Sequence, residues 1–299
     1  MFWHCVILAL AAQQTPVFRT GVTLVRIDAE VVDDGRALTD FGRDDFRVFD
    51  DGKPQAIVQF AAELTPLDIV LLFDTSASMK PAVERVTDAV RLGLAELRPD
   101  DRVAVMSFNR ESRLVAPFTS DLAAVERAIR DGVLGARFGG GTLIQSAAEE
   151  AADLFLPEPR TERRRAVLMI TDNFGFRNRR ESRVVEHYWE ADAVLCGLIV
   201  RNAAVIARNM IAGPMLFLRV GMDGIAGKTG CDAVKSDDPG TAFQETMRRI
   251  RQRYIMCYVM PEGIPGIRRQ IKVELAGEAK RTRPEARVRS RTGYVVPAR

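Results

Sequence analysis

The central part of the chain alternates short apolar runs with amphipathic helical patterns, and this alternation limits the possible folds more than any other feature. The apolar runs cover residues 67–73, 102–108, 166–171 and 193–200. Such short runs of branched residues are typical of strands that are buried on both faces. Helical periodicity covers residues 82–97, 121–132, 143–155, 182–191 and 241–253. The pattern predicts an α/β fold with a mainly parallel central sheet flanked by helices, and residues 113–118 are predicted as an antiparallel edge strand.

The segments on either side of this region have strand patterns and turns. The predicted strands cover residues 25–31, 44–53, 56–60, 254–260, 269–275 and 287–296. The two segments together hold about 90 residues, which is the size of one small β-sandwich. We predict that residues 17–62 and 254–297 fold together as a small all-β domain, and that a domain of residues 66–253 is inserted between them.

The first residues predict export. Residues 1–12 are mostly apolar, and Ala9 and Ala11 supply the small-residue spacing of a signal peptide, although no basic residue precedes the run. We therefore expect an extracytoplasmic protein, either periplasmic or secreted. No other segment reaches the roughly 18 to 20 apolar residues that a membrane-spanning helix requires, so the mature protein is not expected to be transmembrane.

The charge of the chain gives little reason to expect a nucleic-acid partner. Lys and Arg number 43 and Asp and Glu number 40, for a net charge of +3. Basic residues crowd together from Arg248 onward. We expect them to lie on solvated helix and strand faces, and the alternative is a patch that attracts an acidic partner or an anionic lipid.

The cysteines predict neither a disulfide framework nor a zinc site. Once Cys5 is removed with the signal peptide, three cysteines remain, and none of them forms a C-x-x-C pair. Two of the three lie inside apolar runs. Cys196 and Cys257 are therefore expected to be small buried thiols.

Oxygen-bearing side chains follow two of the predicted central strands and the glycine run at residues 139–141. In an open parallel sheet, ligands bind beyond the carboxyl ends of the strands, so we expect three loops to contribute oxygen atoms at one edge of the sheet. Hydroxyl and carboxylate oxygens suit a small, hard cation, and Mg²⁺ or Mn²⁺ fits better than a larger ion. The predicted ligands of one such ion are Asp74, Ser76, Ser78, Thr142 and Asp172.

These residues resemble the metal-ion-dependent adhesion site of von Willebrand factor A domains, because the D-x-S-x-S, T and D elements occur in the same chain order. The resemblance covers residues 67 to about 253 and implies a Rossmann-like fold. It also implies that the three hydroxyls bind the metal and that the two aspartates balance its charge. An Asp or Glu residue of a protein partner would complete the coordination.

The flanking segments resemble the bacterial VWFA-related proteins that are abundant in acidobacteria. The resemblance rests on the Asp44-Asp45-Phe46 stretch, on Tyr254 and Tyr258, and on Gly293-Tyr294. One departure lies at Thr229-Gly230-Cys231, where a second glycine is expected, and it bears on the shape of that loop.

The expected function is a non-enzymatic, adhesion-type module that binds a protein through its metal ion. One alternative is an assembly or accessory factor of a larger complex. Another is a hydrolase, which would need His187 as its base, because His4 is the only other histidine. A phosphate-binding loop at Gly227-Lys228-Thr229 is disfavoured, because Met222 occupies the position of its first glycine.

Overall fold

The computed structural model describes residues 23–62, 65–157, 163–176, 178–201, 218–219 and 221–298. The predicted signal peptide at residues 1–12 lies outside these ranges, as does most of the apolar stretch at residues 215–220. None of the helices within the described ranges is long and apolar enough to span a membrane.

The strands are numbered in chain order over the described ranges. They are β1 (Leu24–Asp33), β2 (Arg36–Leu38), β3 (Phe46–Asp50), β4 (Lys53–Gln55), β5 (Gln59–Ala62), β6 (Leu67–Asp74), β7 (Arg102–Phe108), β8 (Ser112–Thr119), β9 (Arg164–Thr171), β10 (Phe174–Gly175), β11 (Val194–Val200), β12 (Leu218–Arg219), β13 (Ala233–Ser236), β14 (Tyr254–Val259), β15 (Arg268–Leu275), β16 (Arg287–Ser290) and β17 (Gly293–Val295). The α-helices are α1 (Lys80–Leu94), α2 (Leu122–Arg127), α3 (Ile144–Asp153), α4 (Glu181–Glu190), α5 (Met222–Thr229), α6 (Pro239–Arg251) and α7 (Gly277–Thr282). A π-helical segment, Ala128–Leu134, directly follows α2.

The central sheet has six strands in the order β13-β11-β9-β6-β7-β8. Its strands pair in parallel except for β8, which pairs antiparallel with β7 at the edge. Every residue of β6 and of β9 is buried, which explains why these strands read as continuous apolar runs. The predicted α/β class and the predicted antiparallel edge strand are confirmed.

Helices cover both faces of this sheet because side chains alternate between the two faces of a strand. Ile69, Leu71 and Phe73 of β6 pack on one side with α1, α6 and the π-helical segment. Val70 and Leu72 of β6 pack on the other side with α3, α4 and α5. The sheet is therefore the middle layer of three, and in a sheet of this kind a ligand binds at the carboxyl edge, where the loops meet.

The flanking segments form two smaller sheets, one in the order β16-β1-β14-β5 with β2 beside β1, and the other in the order β17-β15-β3-β4. Strand β1 pairs with β14 and β3 pairs with β15, so each sheet contains strands from both ends of the chain. The sheets share one core that includes Ile27, Phe46, Tyr254 and Val273. We refer to these two sheets and α7 as the β unit. The short helix α7 was not expected in a segment predicted to be all β.

Within the described part of residues 201–240, strand β12, helix α5 and strand β13 were not predicted from the sequence. Helix α5 contains Gly224 and Gly227, and β13 is only four residues long, so neither has a clear periodicity. Gly230 ends α5 with a left-handed φ of +110°, and a Cβ at this position would lie 2.7 Å from the backbone nitrogen of Arg291. The glycine is therefore required where the loop meets the β unit.

The expectation that no disulfide forms is wrong, because Cys196 and Cys231 are bonded to each other. Strand β13 lies parallel to β11, and Gly197 is paired with Ala233, so the two cysteines come within 5.2 Å between their Cα atoms. A sequence separation of 35 residues conceals this proximity. Cys257 is a free, buried thiol, as predicted.

The expectation that the C-terminal basic residues are solvated is wrong for Arg249, Arg251, Arg253 and Arg291, which are all buried. Arg253 pairs with Asp28, and the Nε atom of Arg249 lies 2.7 Å from Oε1 of Glu30. Both acidic residues belong to β1 and are more than 200 positions away in the chain. The sequence shows the cations, but it does not show the carboxylates that the fold brings to them.

Candidate metal site

Asp74 is the last residue of β6, and its side chain is completely buried. Its Oδ1 atom accepts a hydrogen bond of 2.8 Å from the backbone nitrogen of Ser76. Its Oδ2 atom accepts a hydrogen bond of 2.7 Å from the hydroxyl of Thr171 at the end of β9. The carboxylate is therefore fixed on both sides, by its own loop and by the neighbouring strand.

The two serines and Asp172 lie in the same hydrogen-bonded group. The hydroxyl oxygens of Ser76 and Ser78 are 3.3 Å apart, and the hydroxyl of Ser78 donates to Oδ2 of Asp172 at 2.7 Å. The other carboxylate oxygen of Asp172 accepts from the backbone nitrogen of Phe174 at 3.1 Å. Loops that follow β6 and β9 thus place four of the five predicted ligand residues together.

Thr142, the fifth predicted ligand, is buried in a segment that is bonded to the loops around the site. The backbone of Ala77 donates to the carbonyl oxygen of Gly139 at 2.9 Å, which ties the glycine run to the serine loop. The carbonyl oxygen of Thr142 accepts from the backbone of Phe176 at 3.0 Å. These bonds place Thr142 beside the site, and its role as a metal ligand stays a prediction.

The glycines of this region allow the backbones to approach closely. Gly141 has a left-handed φ of +88°, which strains any residue with a Cβ. A Cβ at Gly175 would lie 2.6 Å from the carbonyl oxygen of Thr142. Both positions therefore require glycine if Thr142 is to stay where it is.

The pKa of Asp74 is shifted in a way that is not expected of a carboxylate with only a structural role. Burial raises its pKa, and the negative charge of Asp172 raises it further, to about 7. Hydrogen bonds from Thr171 and Ser76 lower the pKa but do not offset these effects. Within the residues that the structure describes, no lysine or arginine forms an ion pair with Asp74. A cation between the two carboxylates would relieve the repulsion.

The donor set fits a small divalent cation. It combines two carboxylates with neutral hydroxyls, and oxygen donors of this kind are those that Mg²⁺ and Mn²⁺ prefer. In the described part of the chain there is no group of three or more His, Cys, Asp or Glu side chains that could hold a metal ion. Hydroxyl groups therefore have to supply part of any coordination at this site.

Two residues that support the site were not identified as such from the sequence. Thr171 orients Asp74 through its hydroxyl. The carbonyl oxygen of Asn109 accepts from the backbone of Leu143 at 2.8 Å, which holds the segment of Thr142 on the loop after β7. Their positions in the sequence could have indicated this role, because each residue lies at or just beyond the carboxyl end of a central strand.

The residues of the alternative motifs have other partners. His187 lies on α4 and is partly exposed, and its Nε2 atom is 2.7 Å from a carboxylate oxygen of Asp153 on α3. Lys228, in the last turn of α5, forms an ion pair of 2.8 Å with Glu181. His187 thus contacts a carboxylate on a helix surface, and Lys228 lies near the end of a helix and not in a loop that precedes one.

Comparisons with known proteins bear on the same region. The family described as von Willebrand factor type A domain matches residues 69–175, a range that includes all five predicted ligand positions. A search of curated proteins found no match to the chain.

Several solved structures are similar to the chain. An aerotolerance-related membrane protein from Bacteroides fragilis has 18% identity and a TM-score of 0.47, over 62% of this chain and 98% of that chain. A von Willebrand factor type A structure from Catenulispora acidiphila has 13% identity and a TM-score of 0.47, over 85% and 74% of the two chains. The pilus adhesin SpaC from Lactobacillus rhamnosus GG has 15% identity and a TM-score of 0.43, over 63% and 30%.

Proposed function

We propose that the chain is a non-enzymatic module that binds a protein partner through a metal ion, because its residues 69–175 match the family described as von Willebrand factor type A domain. The ion is Mg²⁺ or Mn²⁺, and one ion binds per chain. The partner presents the carboxylate of an Asp or Glu residue to it.

The observation that carries the proposal is the buried pair of carboxylates at the carboxyl edge of the central sheet. Asp74 is fully buried, its burial and the nearby charge of Asp172 together raise its pKa to about 7, and no cation from the described residues pairs with Asp74. Burying a charge without a partner costs several kcal/mol, so the arrangement favours a bound cation as the missing partner.

The residues that would hold the ion are Ser76, Ser78 and Thr142 through their hydroxyls, and Asp74 and Asp172 through their carboxylates. Neutral hydroxyls remove little of the charge of a divalent ion, so a bound ion would keep a strong attraction for a carboxylate from outside the protein. The hydrogen bonds from Thr171 and from the backbone of Ser76 hold Asp74 in place for this role.

We also propose that the chain acts outside the cytoplasm. The disulfide between Cys196 and Cys231 supports this location, because such bonds persist mainly in oxidising compartments. The predicted signal peptide at residues 1–12 leads to the same location.

We propose a division into two domains on the basis of the strand pairing. Residues 17–62 and 254–297 form one small domain, and residues 66–253 form the inserted domain that carries the site. The antiparallel pairs of β1 with β14 and of β3 with β15 support this division.

Calorimetric titration with Mg²⁺ and with Mn²⁺ tests the metal site. We expect the wild-type chain to bind one ion and Asp74→Ala to give no heat of binding. Asp88→Ala is a matched control, because Asp88 is an exposed acidic residue on α1. It should bind the ion as the wild type does. Equal heats in the wild type and in Asp74→Ala would remove the metal assignment.

A pull-down from surface proteins tests the protein partner. We expect the wild-type chain to recover the partner in Mg²⁺ and to lose it when EDTA is added. Asp74→Ala should recover nothing under either condition. Recovery that is the same with and without EDTA would contradict a metal-dependent contact.

A further inference from the structure

We propose that the surface around the candidate metal site selects an acidic peptide segment with a particular pattern. Next to the metal-binding carboxylate, this segment carries a second acidic residue that pairs with Arg110 and an apolar residue that packs on Phe176. The inference rests on the proposed function and adds to it the kind of sequence that the partner presents.

Arg110 lies immediately beside the segment that carries Thr142. A Cβ built on Gly141 would be 2.6 Å from Nε of Arg110 and 3.2 Å from its Cγ, so this side chain lies alongside Gly141. Arg110 is exposed, and no acidic side chain among the described residues forms an ion pair with its guanidinium. An exposed arginine in this position can form a bidentate pair with a carboxylate from a ligand.

Phe176 lies on the other side of the same segment. Its backbone nitrogen donates to the carbonyl oxygen of Thr142 at 3.0 Å, which fixes its position, and its side chain is 42% exposed. A large aromatic side chain that is exposed next to a binding site gives an apolar surface on which a ligand side chain can pack.

The sheet order places the two residues on opposite sides of the site. Arg110 follows β7 and Phe176 follows β10, directly after β9, while β7 and β9 are the two neighbours of β6. Asp74 ends β6 between them. An extended peptide that crosses the sheet edge with its acidic residue over the end of β6 would therefore pass Arg110 on one side and Phe176 on the other.

The contrast with other arginines supports a ligand role for Arg110. Arg102, at the opposite end of β7, pairs with Asp68 at 2.7 Å, and Arg179 pairs with Glu149 at 3.1 Å. Arg110 has no comparable partner in the described part of the chain, and its side chain lies alongside Gly141 in the segment of Thr142. Its charge is therefore available to an anionic ligand.

Synthetic peptides of matched length test the proposal. The first has a single Asp among Gly and Ser residues, the second adds a Glu two positions away, and the third adds a Leu at the same spacing, each made in both chain orders. Binding is measured with immobilised peptides in Mg²⁺ and in EDTA. The proteins are the wild type, Arg110→Ala and Phe176→Ala, and the matched controls are Arg281→Ala and Leu92→Ala, at exposed positions on α7 and α1.

The wild type should bind the one-acid peptide in Mg²⁺ only. We expect the added Glu to strengthen binding about fivefold, as for a well-formed exposed ion pair, and the added Leu to have an effect of about the same size. Arg110→Ala should remove the gain from Glu but not that from Leu, and Phe176→Ala should do the reverse. Both controls should keep both gains.

Two results overturn the inference in distinguishable ways. If the one-acid peptide binds only in Mg²⁺ but both variants keep the gains of the wild type, the selection by Arg110 and Phe176 is wrong and the proposed function stands. If no peptide binds better in Mg²⁺ than in EDTA, the metal-dependent contact itself is wrong and the inference fails with it. Thermal unfolding of each variant checks that it is folded.

Discussion

Acidic side chains are buried in several regions of the described chain, and two of these regions differ in what surrounds the acid. At the carboxyl edge of the central sheet, Asp74 lies close to a second carboxylate. Where the sheet meets the β unit, Asp28 and Glu30 of β1 lie against arginines from the α/β region. Both regions are buried and polar, and only the second has a cation from the described residues for each of these acids.

The arginines of the second region make it a clamp between the two parts of the chain. Nε of Arg164 at the start of β9 lies 2.7 Å from Oδ2 of Asp28, and its Nη1 and Nη2 atoms donate to backbone carbonyls at the end of α6. Arg249 of α6 binds both Glu30 and Asp232. We call this set of ion pairs the arginine clamp. It fixes the end of α6 against β1.

The pKa values of the two aspartates shift in opposite directions. Burial raises the pKa of Asp28, but the guanidinium groups of Arg164 and Arg253 outweigh it, so the pKa is lowered. Burial also raises the pKa of Asp74, and there Asp172 adds to the effect. Burial alone therefore does not tell a structural acid from a ligand-binding one, whereas the sign of the neighbouring charge does.

The largest predicted effect is the removal of one acid from the arginine clamp. Asp28→Ala leaves the guanidiniums of Arg164 and Arg253, which are both fully buried, without their main carboxylate. We expect a loss of about 3 to 5 kcal/mol in the free energy of unfolding, measured with urea. Asp88→Ala serves as the exposed control. A loss below about 1 kcal/mol would show that the clamp is not a main source of stability.

The second prediction concerns the carboxyl edge of the central sheet, where Asp74 has no ion pair with any lysine or arginine that the structure describes. Mg²⁺ should stabilise the wild type by about 2.7 kcal/mol when it is present at 100 times its dissociation constant, because it binds the folded chain. Thermal unfolding with and without EDTA measures this difference. A chain that unfolds at the same temperature under both conditions would contradict the proposed site.

The third prediction distinguishes a metal-binding role of Asp74 from a structural role in the fold. In EDTA at pH 8, Asp74→Asn should be at least as stable as the wild type, by up to about 1 kcal/mol, because it removes one of two repelling charges. The addition of Mg²⁺ should not raise the free energy of unfolding of this variant. A large loss of stability in EDTA would mean that Asp74 is a structural residue, as Asp28 is.

The smallest predicted effect is a difference in acid sensitivity. The lowered pKa of Asp28 means that its contribution to stability is present above the unfolded pKa of 3.8 and is lost as the pH falls through the folded value. The wild type should therefore lose more stability than Asp28→Ala as the pH falls from about 4 to about 2. Urea unfolding over this range checks it, and parallel curves for the two proteins would contradict the shift.

Much of the fold could be predicted because the central strands are buried on both faces. Strands β6 and β9 are apolar from end to end apart from Asp68, Arg164, Arg165 and the terminal Asp74 and Thr171. The carboxyl ends of β6 and β9 could be recognised in the same way, and they predicted the position of the candidate site. Helix α5 and strand β13 were not predicted, because a glycine-rich helix and a four-residue strand leave no periodic pattern.

The contacts between distant residues could not be predicted in the same way. Arg253 and Asp28 are 225 positions apart, and Cys196 and Cys231 meet only because β13 joins the edge of the sheet beside β11. Asn109 and Phe176 are unremarkable in the sequence, and their relevance follows from their bonds to the segment of Thr142.

Patterns in consecutive residues were enough to predict the class of the fold, the antiparallel edge strand and the residues from which a metal site could be built. These features depend on local patterns, because the burial of a strand and the position of its end can be recognised from the order of apolar and polar residues along the chain. The tertiary structure decided which buried charges are matched. Pairing depends on how elements far apart in the chain are packed, so only the folded protein shows that Asp28 has its cations while Asp74 lies beside another carboxylate.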